Sequence, residues 1–139
     1  MSDNAPYSAN RPPYPNIHLN LPGRVEQYLI SALGANGSVA LVAGASSGGC
    51  NVAYVAEGEY TITFPAGGTG AIGFVQILPV EVTGQTAGDA RAYAIDSDDL
   101  SFATGTCTFL ATTVSGGSEA LADIIGTFRV LVTVLKAAA

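Results

Sequence analysis

Beyond Arg24 the chain breaks into short runs of alternating apolar and polar residues, separated by Gly, Ser, Asn and Asp at intervals of ~8–12 residues. Glu59 to Phe64 shows the pattern most plainly. Tyr60, Ile62 and Phe64 fall on one face, Thr61 and Thr63 fall on the other, and Glu57-Gly58 turns the chain into the run. Strands are predicted at 25–33, 38–43, 50–56, 59–65, 71–83, 89–96, 99–104, 106–113 and 126–136. In the last run Phe128, Val130, Val132 and Val134 alternate with Arg129, Leu131, Thr133 and Leu135. Both of its faces are largely apolar, which predicts a central strand covered on both sides. Pro79 interrupts Phe74 to Val82 and withholds one ladder donor, so a bulge or a sheet edge is expected there. Asn36-Gly37 carries a hairpin signal.

Two segments also fit a helix. Val25, Tyr28, Leu29, Ala32 and Leu33 lie near helical spacing as well as strand spacing, and Glu119 to Ile125, between Ser118 and Gly126, resembles a single capped turn. Neither changes the fold class, which is all-β: a single β-sandwich of jelly-roll-like form over residues 25–139. Residues 1–24 form an extended N-terminal arm, because Pro6, Pro12, Pro13, Pro15 and Pro22 exclude a helix or a central strand. Tyr7, Tyr14, Ile17, His18, Leu19 and Leu21 make the arm too apolar for a simple disordered tail. Fully extended it reaches on the order of 80 Å. With Arg11 and Arg24, those six residues are the expected assembly contacts.

Composition sharpens this picture. Only 12% of the 139 residues are charged, where about 25% is usual. No Asp, Glu, Lys or Arg occurs from Gln27 to Ala56 or from Leu100 to Ser118. Weakly polar surface of that extent is the kind another subunit covers, so a homo-oligomer, dimer or trimer, is expected. A net charge of -6, with five scattered cations, argues against nucleic acid and against an anionic membrane surface. The stretch MSDNAPYSANRPPYP has neither the basic nor the apolar region of a secretory leader, and Ser, Asn and Gly interrupt every apolar run before it could span a bilayer. Cys50 and Cys107 each fall on an expected strand, where they could be buried thiols or a disulfide.

Few residues suggest chemistry, and no enzyme activity or cofactor is expected. Gly44-Ala45-Ser46-Ser47-Gly48 matches the G-x-S-x-G nucleophile elbow, but strand-like sequence follows it where that elbow needs a helix. The one histidine, His18, precedes the serine in the arm, and Cys50 and Cys107 are too far apart in sequence for a C-x-x-C zinc pair. Asp96, Asp98 and Asp99, with Asp89 nearby, could offer oxygen ligands to calcium, although Asp and Ser are also ordinary turn residues. Thr61, Thr63, Thr106, Thr108, Thr112 and Thr113, with Tyr54, Tyr60 and Tyr93, could line a carbohydrate-binding face. Without tryptophan, tyrosine would have to supply its stacking platform. Gly67-Gly68-Thr69-Gly70 and Gly116-Gly117 read as turns.

Gly58-Glu59-Tyr60-Thr61-Ile62-Thr63-Phe64 is similar to a G-x-Y-T-V-T-F strand of phage fibre modules. With the final Phe128-Arg129-Val130-Leu131-Val132 run, it makes residues 50–136 resemble the small β-rich structural proteins of tailed bacteriophage virions. That group includes capsid cement or decoration proteins and fibre knobs. The resemblance implies a subunit made in the host cytoplasm that joins the virion, with a capsid or other virion protein as partner. A chain opening at Met1 without a shaft repeat favours a cement or decoration subunit. The alternative is a fibre knob that binds a cell-surface receptor or glycan.

Overall fold

A computed structural model describes residues 23–82 and 90–137. Nine strands fold into two antiparallel sheets: β1 (Gly23–Ala35), β2 (Ser38–Leu41), β3 (Asn51–Ala56), β4 (Glu59–Thr63), β5 (Ile72–Val82), β6 (Ala90–Ser101), β7 (Thr106–Ser115), β8 (Ser118–Leu121) and β9 (Gly126–Ala137). The first sheet has the order β2-β1-β9-β5. The second runs β3-β4-β7-β6, with β8 also paired to β7. The architecture is the expected all-β sandwich. β9 is central in its sheet, as expected, flanked by β1 and β5 along almost its whole length. Only its Phe128, Val130, Val132 and Val134 face is covered by the other sheet, and the expected cover on the opposite face is not found among the described residues.

The core lies where the inward faces of the two sheets meet. Phe128, Val130, Val132 and Val134 of β9 and Ile30 and Ala32 of β1 come from the first sheet. Tyr60 and Ile62 of β4 and Cys107, Phe109 and Ala111 of β7 come from the second, and all of these are fully buried. Tyr60 stacks on Phe109 with ring centroids 5.4 Å apart and meets Phe128 across the sandwich at 5.7 Å. Its hydroxyl accepts the Ile124 amide at 2.8 Å, so the buried phenol keeps a polar partner.

The hairpin turns follow the sequence signals. Gly37 and Gly58 adopt positive φ, +79° and +70°, at the β1–β2 and β3–β4 turns. A side chain at Gly58 would also collide with backbone, because a Cβ there would lie 2.6 Å from the Ala111 carbonyl oxygen. The expected disturbance at Pro79 is present, since the β5–β9 register shifts between Pro79 and Glu81 and β5 lies at the edge of its sheet.

The structure settles one open alternative and corrects other readings. Val25–Leu33 is strand and not helix, because pairing with β9 uses the period-two pattern. Glu119–Ile125 is not a capped turn. Gly116 and Gly117 both take positive φ and fold β8 back onto β7 from Thr112 to Ser115. Residues 99–104 are not a separate strand. β6 runs on to Ser101 through a register shift that begins at Asp96, and the chain then turns, with the Gly105 amide donating to the Ser101 carbonyl. Gly23 and Arg24 belong to β1, where Arg24 faces Lys136, so strand pairing begins two residues before position 25.

Candidate functional site

The outward face of the β2-β1-β9-β5 sheet is the most unusual surface among the described residues. Register places Val25, Leu135 and Ile72 in one row, Gln27, Thr133 and Phe74 in the next, then Leu29, Leu131 and Gln76, then Ser31, Arg129 and Leu78. Ile72 and Phe74 keep 59% and 51% of their surface exposed, and Val25, Leu33 and Leu78 are exposed as well. Single exposed apolar residues are ordinary, but a contiguous patch on one sheet face marks an interaction surface. Its polar atoms are partly satisfied from within, since the Gln27 amide donates to the Thr133 hydroxyl at 3.1 Å.

The G-x-S-x-G sequence finishes the edge of this sheet. After β2 a 3-10 turn, Ala43–Ala45, leads the chain back beside β1. There the Ser46 hydroxyl accepts the Ser31 amide at 2.9 Å, and the Ser47 hydroxyl accepts the Leu29 amide at 2.8 Å. Ser46 also donates to the Val42 carbonyl at 2.8 Å. Strand β3 follows this loop, so the serines serve as ladder partners for an edge that β2 is too short to cover.

The outward face of the second sheet has a different chemistry. Thr63 pairs with Thr106 and Thr61 with Thr108, whose hydroxyls are 2.8 Å apart. The register shift from Asp96 to Ser101 lifts the intervening residues of β6 over these threonines. The resulting open concavity, of about 370 Å³, is lined by Thr61, Asp98, Asp99, Leu100, Ser101, Thr106 and Thr108. The Asp98 amide donates to the Asp96 carboxylate at 3.1 Å, the geometry of an Asx turn. Among the described residues no group of three or more His, Cys, Asp or Glu is arranged to hold a metal ion. The tyrosines do not join the threonines. Tyr60 is in the core, and half-buried Tyr54 and Tyr93 pack against it, so this face has no stacking platform from them.

Asp123 is a buried residue that no sequence pattern singled out. Its carboxylate accepts the Gly58 amide at 2.8 Å, the Gly37 amide at 2.8 Å and the Tyr54 hydroxyl at 3.0 Å. It therefore ties a hairpin turn of one sheet to a hairpin turn of the other. Arg91 donates to the Asp123 and Ala122 carbonyls at 3.0 and 3.5 Å. Burial alone would raise this carboxyl, but the two amides, the Tyr54 hydroxyl and the Arg91 charge outweigh it and hold the group below its ordinary value. Burial, then the bond to Asp123, pushes the Tyr54 phenol up to about 12.

A second polar cluster lies at the opposite end of β1. Glu26 takes ion pairs from Arg24 at 2.9 Å and Lys136 at 3.0 Å, and the Tyr28 hydroxyl donates to it. The Tyr28 bond, followed by the Lys136 bond, lowers the Glu26 carboxyl, and its counterpart raises the Tyr28 phenol to about 12. Arg24, expected as an assembly contact of the arm, thus lies within β1 of the first sheet, paired with Glu26. Tyr7, Arg11, Tyr14, Ile17, His18, Leu19, Leu21 and the nearby Asp89 lie outside the described residues. Cys50 and Cys107 are free and buried, and burial pushes the Cys107 thiol up to about 11.

No protein-family model, curated protein or solved structure matches this chain.

Proposed function

We propose that this protein is a structural subunit that works by assembly, of the capsid cement or decoration kind. The observation that carries the reading is the apolar outward face of the β2-β1-β9-β5 sheet, with Ile72, Phe74 and Leu78 exposed on an edge strand. Burying such a face against another subunit contributes about 25 cal/mol per Å² of apolar surface, a driving force that survives the cost of association when the contact is large. The wrapping of the strands, with β1 beside β9 and β4 beside β7, supports a jelly-roll-like form. The likeness of Gly58–Phe64 to phage fibre strands supplies the virion setting. Ser46, engaged with the backbone of Ser31 and Val42, takes part in structure and not in hydrolysis.

The test is co-sedimentation of the full chain with phage heads prepared without it. The chain travels with the heads and raises the temperature at which they release DNA; a chain left at the top of the gradient refutes the cement setting. A second reading, a knob that binds a receptor glycan, is favoured by the concavity over Thr61 and Thr108. It requires that a Thr61→Val, Asp98→Ala variant lose binding to a glycan array that the parent chain labels.

A further inference from the structure

We infer that the subunit covering the outward face of the β2-β1-β9-β5 sheet is a second copy of this chain, packed sheet against sheet. The inference rests on reading that face as the attachment surface and adds the identity of its occupant. Area is the first argument. Three full-length strands and the segment beside β1, ~4.8 Å apart, run ~30 Å from Val25 to Leu33 and give on the order of 500 Å² of flat patch. Two such patches, corrugated by their side chains, remove on the order of 1,000 Å² or more, the size a specific interface needs. A partner touching one corner would leave most of the patch wet.

The distribution of charge is the second argument. A net charge of -6 opposes self-association if it is spread evenly. It is not spread evenly: Glu57, Glu59, Asp96, Asp98, Asp99 and Glu119 belong to the other sheet or its turns, against Glu26, ion-paired to Arg24 and Lys136, and Glu81 in the first sheet. Across the four rows from Val25 to Ser31 the outward face of the first sheet displays no carboxylate, and its one charge there is Arg129; the register puts Glu81 one row further on, opposite Thr127 at the end of the patch. Arg129 sits toward the Gly126 end of β9 beside Leu78, where its long stem can stay on apolar surface while the guanidinium reaches the rim. Two copies meeting through these faces keep the acidic second sheets outermost, about a sandwich thickness of ~10 Å from the contact, comparable to a Debye length in physiological salt.

The experiment is sedimentation velocity of the full chain at micromolar concentration, alongside an Ile72→Glu, Phe74→Glu variant and a Thr63→Glu variant. The two mutated apolar side chains are exposed on an edge strand, so the fold tolerates them, and far-ultraviolet circular dichroism checks that it does. The parent and Thr63→Glu chains sediment at a whole multiple of the chain mass. The double variant sediments as a monomer, with its dissociation constant raised on the order of a hundredfold or more. A monomeric parent chain, or a folded double variant that still associates like the parent, overturns the inference. Head binding separates this result from the proposed function: a self-associated chain that ignores phage heads sinks only the cement setting, and a monomer that binds them sinks only the inference.

Discussion

Replacing Asp123 removes a carboxylate that joins a turn of each sheet, and its cost can be worked from its partners. The Gly58 amide is enclosed, so in Asp123→Ala it loses its acceptor without gaining water, a penalty of about 2 kcal/mol. The Gly37 turn is exposed and Tyr54 is only half-buried, so water replaces those two bonds and they add about 1 kcal/mol together. The sum is about 3 kcal/mol, which lowers the melting temperature of a domain this size by about 10 °C. Asp123→Asn separates charge from shape. Each carboxylate oxygen accepts a backbone amide, so the Asn side chain must turn its own NH2 toward one of them. Because the fold holds the Asp123 carboxyl low, its contribution is complete above the unfolded value near 3.9 and is lost as pH falls through the lower folded value. Urea titrations followed by tyrosine fluorescence, at pH 7 and in steps below pH 4, measure both effects. The gap between parent and Asn variant narrows in acid. A variant within about 0.5 kcal/mol of the parent at pH 7, or a gap that does not change with pH, refutes the latch.

Four further outcomes are expected. Gly58→Ala costs about 2 kcal/mol or more, from its positive φ and the collision with the Ala111 carbonyl, and a thermal melt equal to the parent's contradicts that geometry. Ser46→Ala leaves the Ser31 amide without its hydroxyl acceptor and lowers stability by about 1 kcal/mol in a urea titration. At alkaline pH the raised phenols of Tyr28 and Tyr54 contribute stability that is present below the unfolded value near 10 and is lost as pH rises toward 12. A Tyr28→Phe, Tyr54→Phe chain should lose less across that window, as read by circular dichroism. Alkylation of Cys107 by iodoacetamide at pH 8, followed by mass spectrometry, is slow in the folded chain and fast in urea; equal rates count against its burial.

Strand positions were legible because alternation at period two survives in single segments such as Glu59–Phe64 and Phe128–Leu135. Pro79 announced its own bulge, since a residue without an N–H cannot complete a ladder. The apolar outer face was half legible. Val25, Leu29 and Leu33 alternate with Tyr28, Ile30 and Ala32, but only the register with β9 decides which set enters the core. Asp123 was not legible, because its partners Gly37, Tyr54 and Gly58 are distant in sequence. One signal was available: it is a lone charge inside the apolar run Leu121 to Ile125 of a chain poor in charge. The grouping of tyrosines with threonines failed for a related reason, since strand neighbours one residue apart face opposite sides of the sheet.

The shifted register at Pro79 also governs how growth of an assembly would stop. A sheet edge with regular unpaired amides is a template on which strand can add to strand without limit, the route to fibres. Along β5 that template is irregular, because the register shift between Pro79 and Glu81 breaks the regular repeat of backbone groups along the strand. A single irregularity in one strand thus works against edge-to-edge addition of further chains.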